Sequence, residues 1–125
     1  MDNSLFKFEN LEVWQISLDV NDLVYEMVKH FPEEEKYNLT SQMRRAVTSI
    51  SLNIAEGSAG ATDKEQINFL KYSKRSCLEI VAGAKISLRR KYLEENSTLM
   101  INLFESAHKL SAKISAFMKY LQSRI

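Results

Sequence analysis

Only one proline and three glycines interrupt this 125-residue chain, and of the glycines only Gly57 and Gly60 lie close together. A β-rich fold needs many tight turns, and tight turns draw heavily on Gly and Pro. The chain lacks the material for them, so the expected fold class is all-α, built from a few long helices. Its length predicts one domain, 1–125, large enough to bury a core of its own. No low-complexity segment or internal repeat divides it.

Residues 1–10 read as an N-terminal arm, with Phe6 and Phe8 alternating with polar residues so that the arm lies on the body. Helix 1 is expected over about 11–30, with Val13, Ile16, Val20, Leu23, Val24, Met27 and Phe31 as its buried stripe. Trp14, Leu18 and Tyr25 flank that stripe. Phe31-Pro32 ends it, because a residue before proline avoids the helical region. Helix 2 starts near Asn38 or Thr40 and stops at Gly57, a natural residue just past a helix end. The short link 57–61 makes helices 2 and 3 antiparallel neighbours. Thr62 with Glu65 three residues later fits a capping box, and helix 3 continues to about Leu93. Asn96 or Ser97 caps helix 4, which runs to the C-terminus on Met100, Leu103, Phe104, Ala107, Leu110, Ile114, Phe117, Met118 and Leu121. Short loops between long helices predict an antiparallel up-down-up-down four-helix bundle.

Helix 2 carries a second, polar stripe: Gln42, Arg45, Ser49, Asn53 and Glu56. A solvated face normally holds long Lys and Glu side chains. This mixture of Arg with short hydrogen-bonding residues predicts a polar seam inside the bundle. Folding helix 3 back about the 57–61 turn brings Arg45 level with Ser76 and Glu79, and Glu79 is the expected partner of Arg45. Breaking such a buried pair costs about 3–5 kcal/mol. Glu56 opposes the dipole at its helix end, so it needs compensation from the free N–H groups that begin helix 3. Asn53 can bridge the same junction. Two readings of Asn53, Glu56 and Gly57 stay open: they build the turn, or they hold a ligand.

The formal net charge of +1 points to no partner class, but its distribution is uneven. The first third is acidic and the third quarter basic. A lone cysteine, Cys77, excludes an intramolecular disulfide and reads as a small buried hydrophobe. No apolar run is long enough to span a bilayer, and the N-terminus does not read as a signal peptide, so a cytoplasmic protein with no membrane partner is expected. His30 and His108 are isolated, and no His/Cys/carboxylate cluster has metal-ligand spacing. Gly57 and Gly60 lack a phosphate-loop lysine, and the serines have no histidine at helical reach. Neither a metal, a cofactor nor an enzymatic activity is expected.

On helix 3, Lys64, Lys71, Lys74, Arg75, Lys85 and Arg89 fall within an arc of roughly 100° at helical spacing. Two meanings compete. The arc is a solvated flank of helix-stabilising cations, or it is a track for phosphates of RNA or DNA, read without strong sequence preference. Apolar residues beside the core stripes, Trp14, Leu18 and Tyr25 on helix 1 with Ile67 and Leu78 on helix 3, predict a homo-oligomer. A protein-interaction scaffold with no nucleic-acid binding is the alternative function.

The stretch 42–57 resembles the "QxRRAxxSIxxNIAEG" signature of the small proteins named for intervening sequences in bacterial 23S ribosomal RNA genes. Leu11-Glu12-Val13-Trp14-Gln15 resembles that family's opening "LEVWQ", and Phe69-Leu70 with Ser76 and Glu79 resembles its "FL…GSxxE". Ser51 stands where the family often has proline, which makes helix 2 more regular. Arg75 stands where it often has glycine, which bears on close helix packing there. The resemblance implies a four-helix bundle that forms a homopentameric ring. Similar accessory proteins of diversity-generating retroelements bind nucleic acid and a reverse transcriptase, which implies an RNA, DNA or protein partner.

Overall fold

The computed structural model describes residues 6–60 and 62–125; the expectations for 1–5 of the arm and for Ala61 of the link lie outside them. Four helices form: α1 (Glu12–Val28), α2 (Leu39–Ser58), α3 (Asp63–Arg89) and α4 (Thr98–Ser123). There is no strand among the described residues. Each helix packs on its neighbours in the order α1–α2–α3–α4–α1. Contacts between consecutive helices fall in descending register. Ser17 meets Ser51 while Tyr25 meets Arg44. Ile50 meets Ser73 while Met43 meets Gly83. Phe104 meets Lys85 while Arg124 meets Asp63. Consecutive helices are therefore antiparallel, as the short loops require.

The apolar stripes converge on one core, in which Val20, Val24, Met27, Ile50, Ile54, Leu70, Ile80, Leu110 and Ile114 are sealed from solvent. Burying an aliphatic side chain of this size contributes roughly 1.5–3 kcal/mol. Ile67, expected as surplus apolar surface, lies in this core instead. Before α1, a 3₁₀ turn (Lys7–Asn10) lays Phe8 edge-on to Trp14 at 4.6 Å, so residues 6–10 of the arm do lie on the body.

Small residues set the distance between α2 and α3. Gly57, which the sequence places just past the end of α2, lies inside it: the helix runs to Ser58, and no described glycine has positive φ. Its role is steric: a Cβ there would sit 2.9 Å from Phe69 Cβ. At the other end, a Cβ on Gly83 would collide with the Met43 thioether. Between them, Ser73 donates to the Ile50 carbonyl at 2.8 Å and Ser76 to Ser49 at 3.3 Å. On the α1 side Ser17 donates to the Trp14 carbonyl, so Ser51 must donate to Ser17 across 2.9 Å. The serines thus act as close-packing residues. Arg75 is exposed and leaves this contact undisturbed, while Ser51 sits in an unbroken α2. The buried amide nitrogen of Gln66, beside Gly57, finds no acceptor.

The helix ends follow local rules. Thr62 accepts from the Glu65 N–H and Ser97 from the Met100 N–H, as expected of caps. Asn38 occupies the cap position of α2 but its amide turns back to the Glu35 carboxylate at 3.0 Å. Helix α3 stops at Arg89, short of Leu93, because Lys91 takes φ 66°. The Lys91 and Tyr92 N–H groups then close onto the Leu88 and Ser87 carbonyls, a Schellman turn with lysine in glycine's usual place. That turn aims the Tyr92 hydroxyl at Glu35, to which it donates at 2.7 Å. The bond ties the α1–α2 link to the α3–α4 link. It holds the Glu35 carboxyl below the usual carboxylate range, with help from Asn38, and pushes the Tyr92 hydroxyl up.

Gly57→Ala tests the steric role. Helix propensity alone favours alanine by about 1 kcal/mol. The contact with Phe69 should reverse that sign and lower stability by about 1–3 kcal/mol, read as a lower urea midpoint. A midpoint at or above the parent value would contradict it.

Candidate nucleic-acid interface

Helix α3 buries Gln66, Ile67, Leu70, Ser73, Ser76, Cys77, Ile80, Gly83, Ala84 and Ser87. That inner face fixes the phase of the helix. Lys64, Lys71, Lys74, Arg75, Lys85 and Arg89 then all point to solvent, and each is exposed. From Lys64 to Arg89 the row spans about 38 Å at 1.5 Å per residue. The ion pairs among the described residues are Lys29–Glu26, Lys36–Glu33, Lys113–Glu12 and Arg124–Asp63. None involves the row. Two of its side chains contact rings: Lys85 Nζ lies 4.7 Å from the Phe104 ring centre and the Arg75 guanidinium 5.7 Å from the Tyr72 ring centre.

A groove of about 550 Å³ runs between α3 and α4 alongside this row. Lys71, Lys74 and Arg75 stand on one side and His108 on the other, while Leu78, Val81 and Met118 contribute apolar surface. Leu78 is 70 % exposed in the middle of the cationic arc. Helical spacing alone places Leu78 within the arc. Its identity as groove wall needs α4 alongside, which the sequence pattern does not supply.

Cys77 also borders the groove but is buried, and burial pushes its thiol up to about 12. It is a weak nucleophile there. No group of three or more His, Cys, Asp or Glu among the described residues could hold a metal ion.

The polar seam differs from expectation. Gln42, Arg45, Glu56 and Glu79 are exposed, Ser49 and Asn53 are half-buried, and only Ser76 is buried. Arg45 and Glu79 border the same shallow groove between α2 and α3 but form no ion pair. The reason is the serine and glycine contact itself. It brings the backbones close and leaves no interior room for two long side chains, so both remain in water where their charges are hydrated. Asn53 bridges no junction; its amide donates to the Ser49 carbonyl at 2.9 Å and hydroxyl at 3.0 Å, one turn back. The N–H of Glu65 goes to Thr62 rather than to Glu56. Arg44, Arg45, Asn53 and Glu56 instead border a second groove of about 550 Å³ between α1 and α2, with Tyr25 and Leu52.

A family model described as 23S rRNA-intervening sequence protein matches residues 9–116. The matched span runs from the 3₁₀ turn through most of α4 and includes the whole 42–57 stretch and the whole cationic row. No curated protein matches the chain.

Since Arg45 and Glu79 are solvated, Arg45→Ala and Glu79→Ala should each shift stability by no more than about 0.5 kcal/mol, against the 3–5 kcal/mol of a buried pair. Denaturant titration decides between the two, and a loss above about 2 kcal/mol in both would restore the buried pair.

Proposed function

The chain belongs to the 23S rRNA-intervening sequence protein family, and from that premise we propose a non-enzymatic, oligomeric helical bundle that binds nucleic acid through the cationic row on α3. One observation carries the reading. Six exposed cations lie along one helix, and among the described residues no carboxylate forms an ion pair with any of them. Surface lysines that serve only solubility are normally interspersed with acids, which lowers the local potential. On α3 itself three acids, Asp63, Glu65 and Glu79, stand against the six cations, and Asp63 is paired with Arg124. The acids of α1, Asp19, Asp22 and Glu26, sit on a helix that packs mainly on α2 and α4. The helix therefore keeps a positive excess, and phosphates are its natural counter-charge.

Self-association rests on the other flank. Leu18 and Tyr25 on α1 and Leu52 on α2 are exposed large apolar residues, and Tyr25 and Leu52 line the second groove. A further copy covering them would remove apolar surface from water. A ring, pentameric by the family resemblance, would also repeat the cationic row. No helix among the described residues is long and apolar enough to cross a membrane, and a cytoplasmic location is part of the proposal. The second reading is a protein-interaction scaffold, favoured by the same apolar flank, in which the row keeps the protein in solution.

Filter binding with RNA and DNA separates the two readings. Retention should fall with salt at a log–log slope of about −0.7 per contacted phosphate for single strands. Charge reversal at Lys71, Lys74 and Arg75 to Glu should abolish it with the fold intact, because none of these side chains is in the core. Light scattering of the same samples should give a mass above the 14.4 kDa of one chain. No retention at low salt would leave the scaffold, and a monomer mass at micromolar concentration would remove the oligomer.

A further inference from the structure

We propose that the groove between α3 and α4 receives an unstacked base of a single-stranded nucleic acid, so that the cationic row selects single strands over duplex. The proposal rests on the nucleic-acid reading above and names the substrate class of that same site.

A pure phosphate track needs only charge. This one has apolar surface built into it. Leu78 occupies the centre of the arc, with Lys71, Lys74 and Arg75 in the turns before it and Lys85 two turns after. It is 70 % exposed, and the groove beside it continues over Val81 and Met118. An exposed leucine among lysines is left in water unless an apolar face covers it. The cations around it, which repel a second copy's equivalent row, favour an anionic ligand that brings such a face. Duplex nucleic acid cannot do so readily. Its base faces are stacked inside, and it presents phosphates, sugars and groove edges. A single strand offers both partners at once, because its backbone matches the cations and its splayed bases present apolar faces.

The dimensions agree. A volume of about 550 Å³ lies within the range that takes small organic ligands. His108 on the α4 side offers an imidazole for stacking or for a base edge. The cations stand along the α3 side only, so a strand lying on α3 would turn its bases towards α4. Nothing in this arrangement selects one base over another, since every base has a face to bury.

Fluorescence anisotropy with a labelled single-stranded oligonucleotide, and with its duplex of equal length, tests the proposal on the full chain. The parent protein should bind the single strand at least about tenfold more tightly than the duplex. Leu78→Ser should lose most of that preference while duplex affinity and salt slope stay unchanged; Leu78→Phe should keep or raise it. At 70 % exposure, neither substitution threatens the core. Equal or tighter duplex binding by the parent, or full preference in Leu78→Ser, would overturn the base-binding groove and leave phosphate binding standing. Absence of binding to either form would overturn both, and the groove would then suit an apolar segment of a protein partner.

Discussion

The contact between α2 and α3 decides most of what this molecule presents to solvent. It is made of residues that contribute little bulk: Gly57 under Phe69, Gly83 under Met43, and serines that hydrogen-bond across the gap. Because a glycine on one helix faces each of these large side chains on the other, the backbones approach closely and the register is specified. A shift of α3 by one residue would rotate it by about 100° and drive a side chain into the space that Gly83 leaves for Met43. Once the inner face of α3 is locked, its outer face follows. The cations become a row because the serines and glycine cannot be anywhere else.

The same geometry separates charge. A net charge of +1 conceals an acidic helix and a basic helix. Each packs on α2 and α4, with the core between them. At physiological ionic strength the Debye length is about 8 Å, shorter than the span across two helix layers. The acids of α1 therefore do little to neutralise α3. Electrostatic character here is a property of where the bundle puts its helices, more than of composition.

Helix number, order and the caps of α3 and α4 were legible because they depend on local spacing and on single residues: most of each apolar stripe, Thr62, Ser97 and the exposed phase of the six cations stand as expected, while Leu23 and Phe31 are only half-buried. The misreadings share one cause. Gly57 looked like a helix terminator because a glycine after a helix usually is one; that it makes room for Phe69 depends on a residue twelve positions on. Arg45 and Glu79 looked like a buried pair because they share a level on adjacent helices, yet the small residues between them close the interior. The Glu35–Tyr92 bond joins residues 57 positions apart through a left-handed lysine that no local pattern announces. The α3–α4 groove, likewise, exists only once two distant helices lie side by side. Interhelical spacing is set by pairs of residues, and a single sequence shows the members of each pair without showing the pairing.

Lysine acetylation read by mass spectrometry, in the presence and absence of a single-stranded oligonucleotide, tests the central claim most directly. The claim is that α3 turns an unneutralised cationic row to solvent for phosphates to occupy. Lys64, Lys71, Lys74 and Lys85 should label readily in the free protein and become protected together when the strand is added, while Lys29 and Lys113, each paired with an acid of α1, keep their reactivity. Protection confined to other lysines, or none at any of the four, would contradict it.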